Sequence, residues 1–202
     1  MMTLLSAGPS PFGRKVKMTA RIKGVDDRIA IELTDTAKPN ARLSAENPLA
    51  KIPVLILDDG TRLYDSRVIC EYLDTLSESP RLLPAAGLDR FRCLTRAALA
   101  DGVLDAAVLI VYEGRFRPEE MRVQVWLDRQ QAKISGALDH LEASPPVWSG
   151  VPDYADITLA AALGYLDLRL AGNWRQGRPR LVAWLDAFAR DVPAFEATRP
   201  TA

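Results

Sequence analysis

The stretch Lys51-Ile52-Pro53-Val54-Leu55-Ile56-Leu57 restricts the fold of this chain more than any other. The apolar run after Pro53 reads as a buried strand, and proline is tolerated at its first position because only one ladder donor is lost there. Pro53 leaves the backbone of Ile52 unpaired at the rim of a sheet. An extended peptide can pair with such an edge through main-chain hydrogen bonds. Asp59-Gly60 predicts a two-residue hairpin turn, since both central positions of that turn require positive φ. Arg62-Leu63-Tyr64 would return as the partner strand. Asp65-Ser66 then opens a helix whose Val68, Ile69, Tyr72, Leu73 and Leu76 are spaced to cover one face. Free N–H groups and the macrodipole at such a start attract a carboxylate, and Asp65 offers its own charge to an ammonium group.

Upstream, Thr3-Leu4-Leu5-Ser6 predicts a short first strand, broken by Ala7-Gly8-Pro9-Ser10-Pro11. Pro11 suits the first turn of a helix, and Phe12, Val16, Ala20 and Ile22 give that helix an apolar face. Gly24 is a suitable residue to stop it. Arg28 to Leu33 alternates as a second strand, so a right-handed parallel crossover links the two. Residues 34–50 read as loop with one short helix around Ser44–Glu46. The resulting β-α-β-α-β-β-α order is that of a thioredoxin-like domain.

Ser77 to Pro84 reads as a linker in which Leu82-Leu83 can anchor to a core. Beyond it no strand pattern recurs. Leu88, Phe91, Leu94, Ala98, Asp101, Asp105, Val108 and Tyr112 run at three- and four-residue steps along one long helix. Pro118 can start a second, with Met121, Val125, Ala132, Leu138 and Leu141 inside, and Pro145-Pro146 ends it. Asp153 followed by Asp156 reads as a capping box with aspartate in place of the usual glutamate or glutamine. Leu181, Trp184, Leu185 and Phe188 mark a last clear helix. The expected division is 1–77 for the α/β domain, 78–87 for the linker and 88–202 for an all-helical domain.

Composition excludes several classes. Lys+Arg and Asp+Glu are both 26 in 202 residues, which gives no pull toward nucleic acid or anionic membrane. The N-terminus lacks a signal-peptide pattern. The near-apolar run Val103 to Tyr112 is too short to span a bilayer. Cys70 and Cys93 have no metal-type spacing, and with His140 the only histidine no metal site is expected. Two buried thiols and a cytoplasmic location are the expectation.

Asn47-Pro48-Leu49-Ala50-Lys51-Ile52-Pro53-Val54-Leu55 followed by Asp65-Ser66 resembles the glutathione site of the soluble glutathione S-transferases. Ser10-Pro11-Phe12 and Ala100-Asp101-Gly102 with Asp105-Ala106 are similar to short bacterial members. The resemblance covers nearly the whole chain. It implies a thioredoxin-like domain followed by an all-α domain, a cis bond before Pro53, and a homodimeric detoxification enzyme with glutathione as co-substrate and no other cofactor. On that basis Ile52 beside Pro53 would pair with the cysteinyl part of glutathione. Asp65 would take the γ-glutamyl ammonium, Ser66 the adjacent carboxylate, and Lys51 or Lys38 the glycyl carboxylate, with Phe12 under the site.

Such an enzyme must ionise a thiol whose free pKa is about 8.5. No tyrosine precedes Tyr64 and no cysteine precedes Cys70, which turns attention to Ser6 and Ser10. Ser10, at the helix start, is the candidate catalytic residue, and a simple N-cap is an equally good use of it. For a small hydrophobic electrophile the candidate pocket is Asp101, Asp105, Val108 and Tyr112. The two acids need partners such as Arg14 or Arg96, and Arg115, Tyr165 and Trp174 are further candidates for the opening. A non-catalytic glutathione-binding scaffold and a glutathione-dependent reductase or isomerase are the alternatives.

Overall fold

The computed structural model describes residues 1–78 and 80–200. The chain forms two units, Met1–Ala85 joined by Val192–Ala202, and Ala86–Asp191. The division falls inside the expected linker 78–87, where Leu82 and Leu83 are buried and their N–H groups donate to the Asp74 carboxylate at 2.9 and 3.0 Å. Residues 192–200, expected with the helical domain, group with the first unit.

In the first unit, β1 (Met2–Ser6), β2 (Ile29–Leu33), β3 (Val54–Ile56) and β4 (Arg62–Leu63) form one sheet in the order β2-β1-β3-β4. β1 runs parallel to β2 and antiparallel to β3, and β3 is antiparallel to β4. Helices α1 (Pro11–Ile22), α2 (Ala41–Glu46) and α3 (Ser66–Thr75) alternate with its strands. Leu5, Leu43 and Val54 form a buried cluster against which Ile52 and Ile56 pack. The hairpin differs from the two-residue turn. The Gly60 N–H donates to the Leu57 carbonyl and the Leu57 N–H to Thr61, and of the loop residues only Gly60 has positive φ, at 84°. This is a three-residue loop, a type I turn closed by a left-handed glycine. The Asp59 carboxylate accepts the Thr61 N–H at 2.8 Å and stabilises that geometry.

The second unit contains α4 (Gly87–Phe116), α5 (Gln124–Ala143), α6 (Tyr154–Arg169) and α7 (Pro179–Asp191). The buried side of α4 is Cys93, Ala97, Ala100, Asp101, Val103, Leu104, Ala106 and Ala107. The stripe expected from Leu88 and Phe91 is rotated away from it, and Phe91 is 63% exposed. That side combines small residues with Val103 and Leu104, and the bulkier Leu88 and Phe91 lie off it. Residues 119–121 form only a 3-10 turn, and α5 buries Gln130, Ile134, Leu138 and Leu141. Met121 and Val125, expected inside, are exposed, the latter 79%. The α6 capping box is present: Asp153 accepts the Asp156 N–H at 2.9 Å and Asp156 accepts the Asp153 N–H at 3.1 Å. α8 (Pro193–Ala197) belongs to the first unit. Among the described residues no helix is long and apolar enough to cross a membrane.

Candidate functional site

Strand register gathers the glutathione-site candidates of the first unit at one end of the sheet. Leu5 of β1 pairs with Val54 of β3, so the carboxyl end of β1 lies beside the start of β3. Leu55 pairs with Leu63, which carries Tyr64 and Asp65 toward the same end. Ser10 follows β1, Ile52-Pro53 precedes β3 and Asp65-Ser66 follows β4. Two helix starts, those of α1 and α3, therefore open at this end. The Ile52–Pro53 and Tyr64–Asp65 peptide bonds are cis. The first accords with the resemblance, and nothing in the sequence points to the second.

Ser10 is the N-cap of α1, and its Oγ accepts the Gly13 N–H at 3.1 Å. The hydroxyl proton is not used by that bond. Ser6 is buried, at 1% exposure, and its Oγ has no hydrogen-bond partner among the described residues. Of the two serines, Ser10 is the accessible one. Phe12 is half-buried on the first turn of α1.

Asp65 caps α3, its Oδ1 accepting the Arg67 N–H at 2.9 Å. Its carboxylate is otherwise exposed, with the Arg67 guanidinium 4.0 Å from Oδ2. Ser66 is buried at the first helical position.

Ile52 is placed by a residue whose role sequence reasoning passed over. Asn47 is buried; its side-chain amide donates to the Lys51 carbonyl at 2.9 Å, and its Oδ1 accepts the Leu49 N–H at 3.0 Å. Its own carbonyl accepts the Ala50 N–H at 2.8 Å. Ala50 has φ of 50°, a left-handed conformation that costs a non-glycine residue about 1–2 kcal/mol and is held here by Asn47. The preceding residue, Glu46, is also buried; Arg62 at 2.7 Å ties it to β4, and Arg42 of its own helix pairs with it as well. The hydrogen bond from Arg62 is the main reason its carboxyl lies below the usual range. An asparagine followed directly by proline, as in Asn47-Pro48, is an ordinary turn signal, so only the buried geometry singles it out. Lys38 and Lys51 are exposed, Lys38 in the loop before α2.

The electrophile candidates lie on α4 in the second unit. Asp101 is 1% exposed, Asp105 is exposed, Val108 is half-buried and Tyr112 is exposed. The expectation of two acids on a buried face holds for Asp101 only. Arg96, considered as their partner, instead pairs with Asp153 and, at 3.3 Å, with Asp156. Arg115 lies over the rings of Tyr112 and Phe116, at 6.0 and 5.4 Å. Tyr165 is buried, and desolvation pushes its phenol up to about 12. The Trp174 indole donates to Asp167 at 2.7 Å, an internal structural contact. Among the described residues no cluster could hold a metal ion.

Comparison with known proteins bears on this arrangement. The family described as Glutathione S-transferase, N-terminal domain matches residues 9–76, and its C-terminal domain matches residues 124–187. The GST-like protein YibF of Escherichia coli K12 is 34% identical, with 98% of both chains covered. A glutathione transferase family member from Pseudomonas fluorescens Pf-5, solved with bound glutathione, is 42% identical with a TM-score of 0.92 over 100% of both chains. A glutathione S-transferase from Methylobacillus flagellatus, also with glutathione bound, is 38% identical with a TM-score of 0.92 over 100% of both chains. The chain belongs to the glutathione S-transferase family.

Proposed function

We propose that this chain is a glutathione S-transferase that binds glutathione at the sheet end carrying Ser10, Ile52 and Asp65, and activates its thiolate for attack on a small hydrophobic electrophile. The observation that carries the reading is Ser10 at the head of α1: its oxygen is engaged by Gly13 while its proton remains available. A thiol placed there meets a hydroxyl donor and the positive end of a helix dipole, both of which favour the thiolate. Ile52, just outside β3, offers main-chain groups to the cysteinyl part, and Asp65 beside the α3 start offers complementary charge to the γ-glutamyl end. The glutathione held by the Pseudomonas protein supports the same ligand here. The exposed Leu88 and Phe91 support a homodimer in which a second copy covers them.

Titration of the bound glutathione thiol by ultraviolet difference absorbance tests the reading. The wild-type value should fall below the free thiol's, and Ser10→Asp should return it toward that value, because aspartate keeps the helix cap but has no proton to donate. An unchanged titration in Ser10→Asp removes Ser10 from the chemistry. Failure of the wild type to bind glutathione at all removes the whole proposal.

A further inference from the structure

A cleft of about 280 Å³ lies in the first unit, away from the sheet end that carries Ser10. It is lined by the second half of α1, by Asp26, by β1 and β2, and by the end of α8 with the two residues after it, with Leu4, Ala20, Ile29 and Ile31 as its apolar lining. Lys17 also lines it. Lys17 is half-buried and makes no hydrogen bond or ion pair with any described residue. The other cations of this region are engaged. Arg14 donates to the Phe195 carbonyl at 2.8 Å and stacks on its ring at 4.2 Å. Lys23 reaches Asp74 at 3.0 Å and the carbonyls of Ser77 and Pro80 at 2.6 Å. Arg21 pairs with Asp26 at 3.5 Å, and Arg199 with Glu196 at 2.7 Å.

We propose that this cleft binds a small amphiphilic monoanion, a medium-chain carboxylate, with its head on the Lys17 ammonium and its hydrocarbon tail along Leu4, Ala20, Ile29 and Ile31. The charge count sets the ligand's charge. Arg21 is paired with Asp26, which also lines the cleft, and Arg199 with Glu196 just outside it, which leaves Lys17 as the lining cation without an acid beside it among the described residues. A partly desolvated charge without a partner is unfavourable until an opposite charge reaches it. The lining sets the tail: an inorganic anion would leave the apolar wall unused, and a neutral alcohol would leave the ammonium unmatched. The volume lies just below the usual range for ligand sites, which favours a medium chain over a long one. Burial, and next the nearby Arg14 charge, hold the Lys17 amine below the usual lysine range, as expected for a cation awaiting a counter-charge.

Calorimetric titration of the full chain with octanoate, at saturating glutathione, tests this. One saturable site is expected. Lys17→Met should weaken it at least tenfold and Lys17→Arg by less than threefold, with glutathione affinity unchanged in both. Ile31→Glu, at a position 52% exposed, places a negative charge at the mouth and should weaken octanoate comparably even if Lys17→Met fails to fold. Octanol and inorganic phosphate should each bind at least tenfold more weakly than octanoate. No saturable heat, undiminished binding in Lys17→Met or Ile31→Glu, full competition by glutathione, or phosphate binding as tight as octanoate would each overturn the proposal.

Discussion

The side-chain amide of Asn47 spans the loop before β3, donating to the Lys51 carbonyl at 2.9 Å while its oxygen receives the Leu49 N–H at 3.0 Å. One buried side chain thus replaces the ladder that a sheet would have provided and leaves the next residue, Ile52, outside the strand. Position and availability of the Ile52 main chain have a common origin in that amide.

Asn47→Ala leaves a part-buried loop carbonyl and N–H without their partner. A destabilisation of about 1–3 kcal/mol is expected, read as a lower urea midpoint, together with weaker glutathione binding by calorimetry. Asn47→Asp restores the acceptor for Leu49 but not the donor for Lys51, and should recover only part of both losses.

Asp65 has two tasks that substitutions can separate. Asp65→Asn retains an oxygen for the Arg67 N–H and should leave the unfolding midpoint nearly unchanged. It removes the charge offered to the ligand ammonium, and glutathione affinity should fall about tenfold or more, in the range of a charge-assisted hydrogen bond. Asp65→Ala should lose the affinity and also about 0.5–2 kcal/mol of helix capping.

Gly13 lies against the buried Ser6. A Cβ at position 13 would come within 2.1 Å of Ser6 Oγ and 3.3 Å of its Cβ, so Gly13→Ala should destabilise the chain by about 1–3 kcal/mol through overpacking. Ser6→Ala added to it removes the nearer clash. The double variant should be more stable than the sum of the single effects, a coupling that denaturation of the four proteins measures directly.

The α6 capping box gives a pH signature. Burial, and then the Asp153 charge, push the Asp156 carboxyl up to about 6 against the pull of Arg96. With an unfolded value near ~3.9, the folded state binds the extra proton between about pH 4 and 6. The stability contributed by this group is therefore greatest below that window and declines as pH rises through it. Asp156→Asn keeps an oxygen for the Asp153 N–H and cannot titrate. Its urea midpoint, followed from pH 4 to 7, should lack the wild type's decline from this group.

Local signals carried most of the architecture. Ser10-Pro11 begins α1 and Gly24, at φ of 65°, follows its end, because caps depend on a few neighbouring residues. The Asp153–Asp156 box was legible for the same reason. Where the outcome depends on distant partners, the pattern misled. Val125 has helical spacing yet faces outward, and α5 buries Gln130 instead. Val68 shares the apolar spacing of α3 yet is exposed, whereas the expected burial of Cys70 holds. Of the candidate site, Ser10, Ile52 and Asp65 could be named from chemistry at element ends. Asn47 could not, because its importance lies in being buried with every polar atom used, and burial is a property of the assembled loop.

The bond from the Arg14 guanidinium to the Phe195 carbonyl joins a helix made early in synthesis to a segment made much later. A nascent chain that has released only its first eighty-five residues carries this arginine with no acceptor from that segment. The half of the protein translated first is thus completed last, and a fragment cut after Ala85 would not reproduce it.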